Sequence, residues 1–286
     1  MMDLLQKIGD AKVELEQAKH ATLDAMCSIF SVTADRSLAT GPDTTHPWGA
    51  RVSNVRCPRW NQLIFELLAP NYCRPLNVID LGCAGGGWVR DCIDWGHVAV
   101  GIDGSDWGKI HGNGEWRVIP DRLFTADITK PFDVVCDGKP FKADLVTAFE
   151  VMEHIGERDL HAVFTNVLKH LKPGGLFICS VNPYQDTHGG VDYHATVKPL
   201  EWWENVSGRH GFFRMRKLER YFAGHFLRGP KHPISGGPSM VLSNSSALAP
   251  LAPKKGAVRW MLDHWLGSFP QRCLQYALCG PTNENR

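Results

Sequence analysis

Apolar positions along the chain set out its elements. In the first thirty residues, Leu4, Leu5, Ile8, Ala11, Leu15, Ala18, Ala25, Met26 and Ile29 recur at helical spacing, with Thr22 the one polar gap, and predict a helix. ATGPDTTHPWG (39–49) is a turn-rich break, and RWNQLIFELLAP predicts a second helix ended by Pro70. Short apolar runs then alternate with helical patterns. LNVIDLG (76–82), HVAVGIDG (97–104), LFTADI (123–128), ADLVTAFEV (143–151) and GLFICSVN (175–182) are expected as buried strands. GWVRDCIDWG and ERDLHAVFTNVLKHLK are expected as helices, the second stopped by Pro173-Gly174-Gly175. Strands alternating with helices in this way predict a parallel sheet covered on both faces, and right-handed crossovers make it a doubly wound α/β fold.

After Asn182 the pattern changes. PYQDTHGGVDYHATVKP is a polar loop with two histidines, LEWWENVSGRHG a helix, and FFRMRKLERYF a strand carrying basic residues. A Pro/Gly-rich loop (222–239) leads to MVLSNSSA, expected as a last, antiparallel strand. VRWMLDHWLGSFPQRCLQYAL closes the chain as an amphipathic helix whose default role is to dock on the body. Three regions are expected: a helical cap (1–59), an α/β domain (60–247) and a C-terminal helical extension (248–286).

Composition narrows the class. With 43% apolar residues, the 286-residue chain has enough hydrophobic surface for a core and is not disordered. No run approaches the ~20 apolar residues of a membrane span, and the N-terminus mixes both charge signs, so a cytoplasmic protein is expected. Nine cysteines, an odd number without a C-x-x-C pair, point to reduced thiols. The net charge of +1 hides an asymmetry. Residues 1–197 hold 18 Lys/Arg against 25 Asp/Glu, whereas residues 198–286 hold 13 against 5. That basic third fits either a solvated face or an anionic partner: a substrate, a membrane surface or nucleic acid.

The chemistry-bearing residues cluster at expected strand ends. VIDLGCAGGGW (78–88) runs from a strand through glycines into a helix whose amides favour anionic groups. Asp80 stands at the entrance of that turn, where a carboxylate opposes a pyrophosphate but accepts from an ammonium group. Asp103, 23 residues on, ends the second strand, where an acid can take both ribose hydroxyls. Asp127 ends the third, in reach of an adenine amino group.

Taken together, these motifs resemble the class I S-adenosylmethionine-dependent methyltransferases. VIDLGCAGGG, GIDGSD, TADI, AFEVMEHI and LKPGGLFICSV match five motifs of that family in order over about residues 60–220. The resemblance implies a mostly parallel, seven-stranded Rossmann-like sheet and S-adenosylmethionine as cofactor. It places Asp80, Gly82, Cys83, Ala84, Gly85 and Gly87 on the methionine part, Asp103 on the ribose, and Ala126, Asp127 and Ile128 on the adenine. Phe149 and Glu150 lie beneath the sulfonium. Ala84 departs from the glycine of many members, and its methyl fits if φ there is negative.

Methyl transfer to a hydroxyl needs a base, and Glu150, Glu153 and His154 stand at the fourth strand's end. His154 is favoured, because imidazole titrates near neutrality. E-x-x-E-H is similar to a motif of ubiquinone-pathway O-methyltransferases and small-RNA 2′-O-methyltransferases, members of which hold a divalent metal there. Glu150, Glu153 and His154, completed by His188 or His194 from the polar loop, form the corresponding candidate set; His194 is otherwise a proton-transfer or substrate-contact residue. Arg214 and Arg216 are candidates for binding an anionic acceptor. Trp202, Trp203, Trp260 and Trp265 read as packing residues before sugar or lipid platforms. The expectation is methyl transfer to a hydroxyl of a small molecule, such as a sugar, glycan or other anionic metabolite. A small-molecule N-methyltransferase, an RNA 2′-O-methyltransferase and a non-catalytic S-adenosylmethionine-binding subunit stay open. Nucleic acid is demoted, because GLFICSVN lacks the lysine of the ribose-methylating K-D-K-E set and FEVMEHI stands where base N-methylating relatives carry N-P-P-Y.

Overall fold

The computed structural model describes residues 28–56, 58–68, 74–222, 239–254 and 256. The helices expected over residues 1–27 and 257–286, with Trp260 and Trp265, lie outside the described residues. In chain order the elements are β1 (Phe30–Ala34), α1 (Pro42–Thr45), α2 (Trp48–Val52), α3 (Pro58–Leu68), β2 (Asn77–Leu81), α4 (Gly87–Asp94), β3 (Val98–Asp103), α5 (Trp107–His111), β4 (Leu123–Thr125), β5 (Phe132–Cys136), β6 (Lys139–Pro140) and β7 (Ala143–Ala148). There follow α6 (Leu160–His170), β8 (Leu171–Ser180), β9 (Thr187–His188), β10 (Val191–Asp192), α7 (Leu200–Arg209), β11 (Phe213–Arg214), α8 (Arg216–Phe222) and β12 (Ser239–Ser243).

Seven strands form one sheet in the order β11-β12-β8-β7-β2-β3-β4. β8, β7, β2, β3 and β4 run parallel, and β12 and β11 close the edge antiparallel. The mostly parallel doubly wound sheet is therefore present. Alternation along each strand feeds two apolar layers. Ile79, Val146 and Phe177 pack on one face with Phe164, while Val78, Leu145 and Ile178 pack on the other with Trp60 and Leu63. The order reverses between β2 and β7, so the carboxyl ends of β2, β3 and β7 open a crevice where such sheets take ligands. Among the described residues, no helix is long and apolar enough to cross a membrane.

Several local expectations are corrected. Ile29 and Phe30 are not helical: Phe30 starts β1, which pairs with β5 and, through it, β6 in a small antiparallel sheet that the sequence pattern did not suggest. Pro173-Gly174-Gly175 does not stop α6, which ends at His170; the triplet lies within β8, beside a register shift against β7. Gly174 takes φ +75° there, with the backbone of Leu248 packed where a side chain would stand. FFRMRKLERYF is two residues of strand followed by helix α8, which buries Leu218, Tyr221 and Phe222 at helical spacing. The polar loop carries the hairpin β9–β10.

Trp60 on α3 ties this scaffold to the crevice. It is fully buried, with its ring 4.5 Å from that of Trp88 on α4 and 5.5 Å from that of Phe149, just past β7. Trp60→Ala is expected to destabilise the protein by about 3–5 kcal/mol, because those rings cannot collapse into the space. Urea titration checks this, and a loss below about 1 kcal/mol would show that the contact is not a packing anchor.

Candidate active site

The crevice is a cavity of about 770 Å³. Of the residues singled out in the sequence, Asp80, Gly82, Cys83, Ala84, Gly87, Asp103, Asp127, Ile128, Phe149, Glu150, His154 and His194 line it. Gly85, Ala126 and Glu153 are buried behind its wall.

The turn after β2 is held from all sides. Gly82 has φ +68° and a side chain there would overlap Val151, so only glycine serves. Gly85 and Gly87 are needed for another reason: the segment Ser53–Val55 packs against them, and the Gly85 amide donates to the Ser53 carbonyl at 2.8 Å. These two glycines thus admit the chain's own backbone. The negative φ under which Ala84 would be unstrained is not found; it is +47°. Ala84 is fixed there because its amide donates to Asp103 Oδ2 and its carbonyl accepts from Trp116 Nε1, both at 2.8 Å. The second Asp103 oxygen accepts from the Ser105 amide at 2.8 Å.

Asp80 is buried and accepts from Thr147 Oγ1 at 2.6 Å. Burial lifts its pKa to about 7; the Thr147 hydrogen bond opposes that rise and the neighbouring Asp103 adds to it. Asp127 accepts from Thr129 Oγ1 at 2.6 Å and from the Thr129 amide at 3.0 Å, and its other oxygen lies 3.4 Å from Arg36 Nη1.

The opposite wall comes from the end of β7 and the polar loop. Glu150 takes φ +55°, a conformation that costs a side-chain-bearing residue about 1–3 kcal/mol. Ser180 at the end of β8 holds it there, accepting from the Glu150 amide at 2.7 Å and donating to Glu150 Oε1 at 3.0 Å. Glu150 therefore turns to Ser180, and the metal-compatible group is Glu153, His154 and His194, whose ligand atoms lie within 4.8 Å of one another. The side chain of His188 lies outside the described residues. His154 and His194 meet edge to face at 4.9 Å. His194 Nδ1 is 2.6 Å from the Tyr184 carbonyl, which can only accept, so Nδ1 carries a proton and, in the neutral ring, Nε2 has the lone pair. Gln185 bonds both the His194 carbonyl and its amide, at 3.1 and 3.2 Å, and so fixes its backbone.

Sequence reasoning missed Thr147, Ser180, Asn182, Tyr184 and Gln185. It also missed Thr40, Ala50 and Ser53, which line the cavity from a stretch whose only signal was that of a turn. Arg214 and Arg216 are not at the cavity. Arg214 pairs with Glu204 and Glu219 at 2.8 Å, and Arg216 with Glu204 at 2.7 Å. Trp203 is wholly buried, a packing residue as expected. Cys83, Cys92, Cys136 and Cys179 are free thiols, and burial raises the pKa of each.

Residues 54–225 match a family model described as a methyltransferase domain. The chain belongs to the class I S-adenosylmethionine-dependent methyltransferases. The methyltransferase is 31% identical over 191 residues to the ubiquinone biosynthesis O-methyltransferase of Brucella ovis, covering 63% of this chain and 69% of that protein. It is 31% identical over 119 residues to that of Dinoroseobacter shibae, covering 40% of this chain and 44% of the relative. The chain thus spans less than half the length of that second enzyme. Among solved structures, a magnesium protoporphyrin IX methyltransferase from Synechocystis is 16% identical, with a TM-score of 0.45 over 65% of this chain and 82% of its own.

The raised pKa of Asp80 gives the methyltransferase a pH-dependent stability. The unfolded chain releases this proton near the usual aspartate value of 3.8, the folded protein near 7, so between them the folded state binds more protons. This residue's contribution to stability is therefore expected to fall as pH rises from about 4 to 7. Melting curves of the ligand-free protein and of Asp80→Asn across that window check this: the variant should lack the decline, and parallel curves would refute the assignment.

Proposed function

We propose that the methyltransferase moves a methyl group to a hydroxyl of a small molecule, and that the His154–His194 pair, set beside the glycine turn in one cavity, serves the acceptor. That juxtaposition is the single observation that carries the proposal. S-adenosylmethionine, when bound, supplies an electrophilic methyl group on a sulfonium. Asp80 is placed to accept from the cofactor's ammonium group, and a buried carboxylate with a raised pKa gains from a cationic partner. Gly82, Cys83, Ala84 and Gly87 are assigned to the methionine part, Asp103 to the ribose, and Asp127 with Ile128 to the adenine. Phe149 floors the cavity. For Asp103 the ribose assignment comes in addition to the two backbone amides it accepts from.

His154 is the proposed base: it takes the hydroxyl proton as the oxygen attacks the methyl carbon and the carbon–sulfur bond breaks. His194, oriented by the Tyr184 carbonyl, holds its Nε2 lone pair beside it. The approach of Glu153, His154 and His194 favours a second reading, a divalent metal held by these three. One carboxylate and two imidazoles fit such an ion in kind, and it would lower the pKa of a hydroxyl bound to it.

Calorimetric titration with S-adenosylmethionine and S-adenosylhomocysteine is expected to show micromolar binding, with none for NADH. Asp103→Ala should weaken it by about 1–3 kcal/mol. Failure of both sulfur ligands to bind would remove the cofactor assignment, and unchanged affinity in the variant would remove the ribose contact.

His154→Ala is expected to lower kcat on an accepted hydroxyl compound by ~10²-fold while leaving S-adenosylhomocysteine affinity intact. Retained turnover would dismiss His154. Chelator treatment separates the two readings: lost activity restored by Mg²⁺, Mn²⁺ or Zn²⁺ supports the metal, and indifference leaves His154 as base.

A further inference from the structure

We infer that the part of the acceptor entering the cavity is a hydroxylated ring without negative charge, either neutral or cationic. The inference rests on the methyl-transfer reading and names the substrate class of the same site. Glu150, Asp159, Asp186, Asn182, Gln185 and Tyr184 are among the residues that line the cavity. Among the described residues lining the cavity there is no lysine and no arginine.

Carboxylates and phosphates are recognised by cationic forks or by clustered backbone amides. The cations near the rim face other acids: Arg36 lies 3.4 Å from Asp127, and Lys130 lies 4.0 Å from Asp159. Arg214 and Arg216, the sequence-level candidates for an anionic acceptor, are engaged by Glu204 and Glu219. An anion drawn into the cavity would meet the carboxylates of Glu150, Asp159 and Asp186, and like charges repel. Hydroxyl and ammonium groups instead find acceptors in the carboxylates.

Tyr184 indicates the ring. It lines the cavity yet is 66% exposed, while its backbone is pinned: its amide donates to Asn182 Oδ1 at 3.1 Å and its carbonyl accepts from His194 Nδ1 at 2.6 Å. A rigidly mounted, uncovered aromatic side chain beside the proposed histidine pair is a surface on which an aromatic or sugar ring can lie. The same attachment that orients His194 thus fixes the residue that would stack on the acceptor.

Two matched series test this on the full chain: catechol, dopamine and 3,4-dihydroxybenzoate, and glucose, glucosamine and glucuronate. Each series keeps the ring and changes the charge. Binding to protein saturated with S-adenosylhomocysteine and product formation with S-adenosylmethionine are both read. In at least one series the neutral or cationic member is expected to exceed the anion by tenfold or more in kcat/KM. Asp186→Asn should narrow that ratio severalfold, and Tyr184→Ala should raise KM for every member of the accepted series. An anion equal to or better than its neutral partner overturns the inference. So does failure of all six to bind while S-adenosylhomocysteine binds normally. Failure of S-adenosylhomocysteine itself to bind would instead remove the methyltransferase reading, and this inference with it.

Discussion

Two backbone amides, those of Ala84 and Ser105, converge on the carboxylate of Asp103, and the shape of the crevice depends on that convergence. The Ala84 bond ties the turn after β2 to the end of β3. The Ser105 bond sets the direction in which the chain leaves β3. With the turn anchored at Ala84, Ser53 can reach Gly85 on its outer side, and Glu115 donates its amide to the Gly85 carbonyl at 2.7 Å. Three separate stretches of chain are thereby clamped around six residues. A turn so constrained is preorganised: little conformational entropy is left to lose when a ligand arrives.

The same constraint explains why unfavourable features persist. Ala84 and Glu150 both adopt left-handed backbone conformations, and both stand at the cavity. Each is over-determined by hydrogen bonds from a neighbouring element: Asp103 and Trp116 for the first, Ser180 for the second. Asp80 adds a buried acid beside Asp103, a pairing that stability alone would not select. Local strain and like-charge crowding are thus concentrated at one end of a well-packed parallel sheet, a distribution that packing alone would not produce.

Much of the sheet was legible, because buried parallel strands announce themselves as apolar runs ended by glycine or an acid. β2, β3, β4 and β7 all fall within expected runs, whereas β8 starts four residues before the run that was expected at 175–182. The misses have physical causes. Pro173-Gly174-Gly175 has turn composition, yet a register shift between β7 and β8 lets it lie inside a strand. In FFRMRKLERYF the long arginine and lysine stems imitate an alternating strand, whereas the burial of Leu218, Tyr221 and Phe222 follows a helix. At the site, spacing brought Glu153 and His154 together because they are adjacent in sequence. It could not show that Glu150 turns to Ser180, thirty residues on, or that His194 comes from the polar loop to meet His154. Such contacts are set by which strand ends lie side by side, and only the sheet order reveals that. The glycines show the reverse limit: their presence was legible, but not that Gly85 and Gly87 accommodate Ser53–Val55.

Charge counting along the chain does not separate a cation engaged in structure from one on an open face, as Arg214 and Arg216 show. The basic excess after residue 198 looks like a surface awaiting an anion only if its cations are free. Arg214 is largely buried and forks across two carboxylates, and Arg216 shares one of them, so this stretch of positive charge is consumed in joining α7, β11 and α8. Removing Glu204 would leave a buried guanidinium short of a partner, a far larger penalty than the loss of an exposed ion pair. The acidic excess before residue 198 behaves differently. Part of it, at Asp80, Asp103, Asp127 and Glu150, gathers at the ends of the parallel strands, where hydroxyl and amide donors hold it and Arg36 stands beside Asp127. Hydroxyl and amide donors orient these carboxylates without bringing a full positive charge to them. The difference between the arginines engaged in structure and the carboxylates at the strand ends lies in the partner each has, not in the net charge of the segment that carries it.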